Sequence, residues 1–533
     1  MSKRNGKFDA IIIGGGHNGL VAGAYLARAG KRVLILERRH LVGGAAVTEE
    51  IFPGFRYSVC SYVVSLFRPE IIRELDLPSH GMEILPLDCT FNPLPNGDYL
   101  FRGSDPEETR REISRHSPAD AEAYAEYGRV MMQMARFVKP VLAMEPPDPT
   151  SLRPGQWLPW IRMGKRFQDL EPDHRFIHAK MMTMSAVDFL ENWFESDVMK
   201  AALSVSGIIG TFLGVRSPGT AYVLLHHYMG EIDGSFRSWG LARGGNGAIS
   251  EAVAAAARKF GAEIRTEAPV ASINVHNGTA VGVTLENGEE IPARMVASGV
   301  DPHLTFLKLL DPGHLDSEFR EGIGKIRYRG SSGKVNLALD RVPRFRSLPE
   351  AGPHLRGAIS IAPSVDYLDR AYDEAKYGNF SSRPFLDIVI PSLTDQTVAP
   401  PGKHVMSIFV QYAPYHLREG NWDDLREKFG DTVIDTLEEY APGIRKSILH
   451  RQVLTPLDME RDFGLTEGNI FHGELSREQL LFQRPLIGYS RYRTPIRNLY
   501  LCGSGAHPGG GVMGAPGRLA AHRILKDWNQ GRV

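Results

Sequence analysis

Residues 8 to 19 read Phe-Asp-Ala-Ile-Ile-Ile-Gly-Gly-Gly-His-Asn-Gly, which puts Gly14, Gly16 and Gly19 at the spacing G-x-G-x-x-G. A turn of this kind offers bare backbone N–H groups and the positive end of a helix dipole to a pyrophosphate. Gly14 permits the tight turn, Gly16 lets the main chain approach the phosphates, and Gly19 lets helix and strand pack closely. His17 and Asn18 stand inside the turn and are expected to contact the same ligand. Glu37 follows Gly19 by 18 positions, where a carboxylate accepts hydrogen bonds from ribose hydroxyls. Arg38 then precedes Gly43-Gly44-Ala45, a second glycine loop that an arginine could join in gripping the pyrophosphate.

A second concentration of bare backbone lies near the other end. Seven of the fifteen residues from Gly503 to Gly517 are glycine. Backbone at a strand-to-helix junction suits a phosphate, a ribityl chain or a flat ring. Gly503, Ser504, Gly511, Val512 and Met513 are therefore the expected holders of the far half of a long dinucleotide. A nicotinamide dinucleotide has no need of a second cradle of this kind, so the cofactor expected is FAD. The run Gly244-Gly245-Asn246-Gly247 lacks the third glycine, and Ser-Trp-Gly-Leu-Ala-Arg before it does not read as a strand. Without a second nucleotide domain, electrons should pass from substrate to flavin and on to oxygen, a quinone or another carrier.

Flavin oxidation needs a substrate C–H aimed at the ring and sometimes a proton acceptor. His507 sits within the second glycine run and is a candidate for such a role near the ring. His226 and His227 are adjacent in an apolar run and need partners, which makes His227 a second candidate. Neither an H-x-x-x-H pair nor a carboxylate cluster suggests a metal, and no G-x-S-x-G suggests a serine hydrolase.

These groups need elements to position them. A strand over Ile11–Ile13, a helix from Leu20 and a second strand over Val33–Leu36 give a βαβ unit. A helix over Ala248–Phe260 precedes strands at Ala262–Thr266 and Val270–Val275. A hairpin then turns through Asn287-Gly288 between Val281–Glu286 and Glu290–Val296. A strand over Asn498–Cys502 leads into a final helix from about Gly514. The pattern predicts an α/β protein in which a discontinuous Rossmann-like FAD-binding domain, residues 1–75, 241–310 and 485–533, carries an inserted α+β substrate domain, residues 76–240 and 311–484. Stretches such as MMQMARFVKPVLAMEPP and MMTMSAVDFLENWF read as core packing or as the lining of an apolar channel. Pro146-Pro147-Asp148-Pro149 reads as an exposed loop.

The bulk properties narrow the partners. Lys plus Arg and Asp plus Glu each total 62, so no net field attracts nucleic acid. Cys60, Cys89 and Cys502 form no C-x-x-C pair, which argues against a dithiol centre and a cysteine-built zinc site. They fit a reducing compartment. Residues 1–7 run directly into the first strand and leave no room for a leader segment, so the expectation is cytoplasmic. The charge-free stretch Ala201–Val215 is 15 residues long, short of the ~20 needed to span a bilayer. A peripheral membrane contact is the most it allows.

The stretches GGGHNGLVAGAYLARAGKRVLILERRHLVGGAAVTEEIFPGFRYS, YVLLHHYMG, ARGGNGAIS, TFLKLL, GNIFHG and LYLCGSGAHPGGGVMGAPGR resemble the phytoene desaturase-like flavoproteins of the broad amine oxidase and phytoene desaturase superfamily. The resemblance covers essentially the whole chain. It implies an FAD-dependent oxidoreductase in which a Rossmann-like domain is interrupted by a substrate domain. It further implies that the main chain at Val270 approaches the adenine. By position it matches Lys334, in SSGKVNLALD, to a lysine that some amine oxidases place near flavin N5. Carotenoid desaturases carry Gly-Asp where this chain has Gly503-Ser504, so Ser504 meets the ribityl chain without a charge, which turns the reading away from carotenoid chemistry. The function implied is dehydrogenation or isomerisation of a hydrophobic small molecule. An amine or amino-acid oxidase is the alternative within enzymology, and a flavin-stabilised regulatory or interaction protein the alternative outside it.

Overall fold

Two seven-stranded sheets dominate the computed structural model, which describes residues 8–151, 154–232, 235–236 and 238–533. The first sheet begins with the strand Phe8–Ile13, whose last four residues are buried. It pairs in parallel with Val33–Leu36 on one side and Glu290–Ser298 on the other. Glu263–Arg265 extends the sheet beyond Val33–Leu36. The hairpin strands Val270–His276 and Thr279–Leu285 run antiparallel onto Glu290–Ser298. The short strand Leu499–Leu501, close to the C-terminus, pairs in parallel with Val296–Ser298 and completes the sheet. Strands buried on both faces read as continuous apolar runs, as Ala10–Ile13 and Val33–Leu36 do.

Helix His17–Arg28 packs against this sheet and between the helices Gly247–Lys259 and Ala515–Asn529. Every residue from Asn18 to Ala27 is buried. Small residues make the close packing possible: a Cβ at Gly23 would stand 2.5 Å from the Ile35 side chain, and one at Gly517 would stand 2.1 Å from the Asn18 carbonyl oxygen.

The second sheet runs in the order Ile448–Leu454, Ser332–Leu339, His404–Gln411, Phe385–Val389, Ala358–Ile361, Cys89–Pro93 and Tyr99–Gly103. All neighbours are antiparallel except Ala358–Ile361 with Cys89–Pro93. One face is apolar, with Phe91, Val335, Ile359, Leu386 and Ile408 packed under the helix Trp422–Tyr440. A cluster of helices, with Pro118–Leu142 and Thr220–Tyr228 at its centre, forms a separate apolar core.

Several local expectations need revising. Gly240–Ala242, inside Ser-Trp-Gly-Leu-Ala-Arg, does form a strand, but it pairs with Ile84–Pro86 in a two-stranded ribbon and bridges to Val64 through Gly240. It therefore builds no second nucleotide fold. Of the expected exposed loop, Pro146 and Pro147 are buried, Asp148 is half-buried and Pro149 is exposed. Met131, Met134, Met181 and Met199 are core residues of the helical cluster. Ala201–Val215 holds the end of a short helix and a 3-10 turn, and among the described residues no helix is long and apolar enough to cross a membrane. Residues 1–7, which bear on the expected lack of a leader, lie outside the described residues.

Candidate active site

A cavity of about 950 Å³ runs between the two sheets, at the upper end of the range for small-molecule sites. One end is built from the first glycine turn. Gly14, Gly16, His17, Asn18 and Gly19 line it, with Gly43, Gly44 and Ala45 opposite. The glycine loop rests on its neighbour: Gly43 N–H donates to the Gly15 carbonyl at 2.9 Å, and a Cβ at Gly44 would stand 3.3 Å from the Gly16 Cα. Gly16 begins helix His17–Arg28 and no side chain caps it, which leaves the first-turn N–H groups available to an anion.

Glu37 is buried at the end of its strand and lines the same end of the cavity. Its carboxylate accepts from Gly15 N–H at 2.8 Å and from Arg39 N–H at 2.9 Å. Two hydrogen bonds leave acceptor capacity for ribose hydroxyls. Arg38 also lines the cavity, and its guanidinium donates to the Arg461 carbonyl at 2.9 Å. Val270 lines the same cavity.

The two ends of the sequence meet here. Asn18 donates through Nδ2 to the Ser504 hydroxyl at 2.9 Å, across 486 positions. The Gly299–Val300 backbone lies between the two glycine turns: a Cβ at Gly14 would stand 3.3 Å from Val300 Cγ1, and one at Gly503 would stand 2.2 Å from the Gly299 carbonyl oxygen. Ser504, Gly511 and Val512 line the cavity, whereas Gly503 and Met513 stand behind it. Met513 instead accepts the Arg68 N–H on its carbonyl.

Among the described residues, His17 Nε2, Asn18 Oδ1 and His472 Nδ1 are buried on cavity-lining residues beside the glycine turns and have no partner. A dinucleotide with phosphate and ribityl hydroxyls is the kind of group that completes such a set. The donor set and the cradle therefore fit FAD. Burial lowers the His17 pKa to about 4 and that of His472 to about 3, so both rings are neutral donors or acceptors at physiological pH.

The expected catalytic side chains separate in space. His227 lines the cavity, its ring stacked on Trp239 with centroids 6.2 Å apart. Its Nδ1 lies 2.9 Å from the Val223 carbonyl, and burial lowers its pKa to about 4. His226, next to it, is fully buried and faces away. His507 does not line the cavity. It is buried near the carbonyls of Val141, Leu142 and Met144 at the end of the long helix, and among the described residues neither ring nitrogen has a hydrogen-bond partner. Lys334 is fully buried on its strand. Its ammonium donates to the carbonyls of Ser58 and Val59 at 2.8 and 3.3 Å, and burial brings its pKa down to about 7. That bond fixes the approach of residues 60–62, which do line the cavity.

The far end of the cavity is made of side chains that sequence reading did not single out. Cross-strand register places Arg102 beside Thr90, Thr90 beside Ala358, Ser360 beside Asp387, and Asp387 beside Phe409. Side chains alternate across a strand, so these residues share the face opposite Phe91, Ile359 and Leu386. All of them line the cavity, together with Tyr62. Tyr62 stacks on Phe409 with centroids 5.7 Å apart. The legible signal was Asp387 itself, a lone acid in the apolar run Phe-Leu-Asp-Ile-Val. Leu203, Val205, Ile209 and Ile470 supply the apolar wall across from the sheet.

Comparison with known proteins identifies the family. The family described as flavin containing amine oxidoreductase matches residues 19–525. Pyridine nucleotide-disulfide oxidoreductase domain-containing protein 2 of Rattus norvegicus is 42% identical over 544 residues, covering 98% of this chain and 94% of that protein. The disulfide chemistry in that name has no counterpart here. Cys60, Cys89 and Cys502 are buried and unpaired, and burial pushes each thiol up to about 12. A neurosporene-forming phytoene desaturase of Cereibacter sphaeroides is 26% identical over 95% of this chain and 92% of its own. Among solved structures, an oxidoreductase from Methanosarcina mazei shares the fold with a TM-score of 0.60 at 18% identity, covering 97% of this chain and 100% of its own.

Proposed function

The chain belongs to the flavin-containing amine oxidoreductase family and is an FAD-dependent oxidoreductase, and from that premise we propose that it dehydrogenates or isomerises a hydrophobic small molecule. The observation that carries the reading is the single cavity that joins the glycine turns to a wall of Leu203, Val205, Ile209 and Ile470. A nucleotide site that opens onto an apolar chamber is suited to bringing a carbon–hydrogen bond to the flavin without water. The phytoene desaturase relative is named for an apolar substrate of the same general kind.

In this reading Glu37, Arg38 and the main chain at Val270 hold the adenosine end. Gly14, Gly16, His17, Asn18, Gly19, Gly43, Gly44 and Ala45 hold the pyrophosphate. Ser504, Gly511 and Val512 face the far half, and Gly503 and Met513 shape its backbone from behind. FAD, when bound, takes up two electrons from substrate carbon. The chain's own residues exclude water and orient the substrate. Trp239 and the ring of His227 form one wall, and Lys334 holds the segment that presents Tyr62. The single nucleotide fold supports oxygen, a quinone or another diffusible carrier as the final acceptor.

Anaerobic mixing of the FAD-loaded protein with apolar terpenoids and with amines, read as loss of flavin absorbance, tests this. Bleaching by apolar compounds supports the proposal. Bleaching by amines alone replaces it with an amine oxidase. A flavin that none of them reduces overturns the enzymatic reading in favour of a regulatory role. Admitting air or a quinone to the bleached sample identifies the acceptor.

A further inference from the structure

Asp387 occupies the middle of Phe385–Val389, with Leu386 and Ile388 packed into the core behind it and its own side chain turned into the cavity. Its carboxylate accepts from the Tyr62 hydroxyl at 2.5 Å and from the Ser360 hydroxyl at 2.8 Å. Both donors are neutral, and burial raises the Asp387 pKa above the ordinary carboxylate range. Among the described residues no ion pair reaches it.

Among the described residues neither cation on the same sheet face is paired with Asp387, although the Lys334 ammonium stands 5.5 Å from the Tyr62 ring centroid. Arg102 lies three strands away and Lys334 two, roughly 14 and 10 Å at ~4.8 Å per strand. Lys334 already donates to the Ser58 and Val59 carbonyls. A carboxylate has room for about four hydrogen bonds, and two are in use. Two strands away on the same face, the hydroxyl of Thr90 is buried, lines the cavity and has no partner among the described residues. The sheet face is thus a polar strip opposite an apolar wall. A buried carboxyl held by two neutral donors is costly unless a further donor arrives from within the cavity.

We propose that Asp387, held in place by Tyr62 and Ser360, receives a hydrogen-bond-donating head group, a hydroxyl or a protonated amine, on an otherwise apolar substrate. The inference rests on the reading of this chamber as the substrate site. It narrows the substrate from any hydrophobic molecule to one with a polar head, and it sets plain hydrocarbons aside.

The test is equilibrium binding to the FAD-loaded protein of 1-octanol, octylamine and octane, followed by difference absorbance of the bound flavin. Wild type is expected to bind the alcohol, the amine or both at least ~10-fold more tightly than octane. Asp387→Leu should abolish that preference. Asp387→Asn should abolish it for a protonated amine and only reduce it for an alcohol, because the amide oxygen still accepts. Ser360→Ala retains the carboxylate and should keep the preference within a few-fold. Flavin content and Tm verify that each variant is folded, and Asp387→Asn decides the matter if Asp387→Leu is not. Equal affinities for all three probes in wild type, including no measurable uptake of any, overturn the proposal. So does a preference that survives loss of the carboxylate. Selective binding without anaerobic bleaching would leave this inference standing while refuting turnover.

Discussion

At the turn Gly14–Gly19 the cavity wall is main chain, and a Cβ at Gly19 would lie 2.2 Å from the Gly14 carbonyl oxygen. At the opposite end the wall consists of Thr90, Ser360, Asp387 and Phe409, side chains set on four different strands of one sheet. The first end recognises its ligand by backbone N–H groups, and almost any added atom disrupts it. The second recognises its ligand by what the side chains are, so substitutions there retune the site and leave the fold intact. On the proposed reading, a cofactor shared by many enzymes is held by the rigid, backbone-built end. The substrate, which differs from one relative to another, is met by the end that side chains can vary.

The sharpest way to break this contrast is Gly19→Ala. No flexible side chain is available to move aside, so the turn itself must shift. FAD affinity is expected to fall by about 100-fold or more, ~3 kcal/mol, read as flavin-to-protein ratio after purification. A variant that keeps stoichiometric flavin would show that the backbone end is as tolerant as the side-chain end.

A second test concerns the seam between the two ends, where His17, His226, His227, His472 and His507 are buried and neutral. Burial lowers their pKa values from 6.5 to about 4, 3, 4, 3 and 3. Between 6.5 and those values the unfolded chain binds protons that the native protein refuses. Stability is therefore full above pH 6.5 and is lost as the pH falls toward about 4. Tm should drop by about 10 °C or more from pH 7 to pH 5, with flavin fluorescence rising in the same window. A flat profile would mean that these rings can take up protons in place.

The smallest expected effect belongs to the side-chain end. Phe409→Leu should raise KM for an apolar substrate by about 3- to 10-fold while flavin content stays at wild-type level. Loss of flavin in this variant would erase the distinction between the two ends.

How much of this could be read from the sequence follows from the same contrast. Gly14, Gly16 and Gly19 are legible because a turn built for phosphate imposes its spacing on neighbouring residues. The second cradle was legible because bare backbone is conspicuous in composition, although the 2.9 Å bond from Asn18 to Ser504 joins the two only in space. Ser360 and Asp387 come together through the register of a sheet whose strands start at positions from 89 to 448, Tyr62 reaches them from a segment outside that sheet, and no local pattern encodes either. His507 shows a further limit. It lies within the glycine run, yet its ring is turned toward the end of the long helix, because neighbourhood in a loop does not fix direction. Lys334 was placed on the right strand, but which carbonyls its ammonium meets depends on a segment nearly 280 residues earlier.

The strand Leu499–Leu501 joins the parallel sheet after nearly everything else in the chain. A ribosome that has reached residue 498 has made the adenosine pocket, the substrate sheet and most of the apolar core. The edge of Val296–Ser298 is still bare at that point, and nothing yet faces Asn18. Synthesis and loading with the prosthetic group are thereby ordered in time. A premature stop codon just before Leu499 is expected to yield a product with most of the enzyme's mass and no bound flavin. The exposed edge of that product would be a ready partner for aggregation.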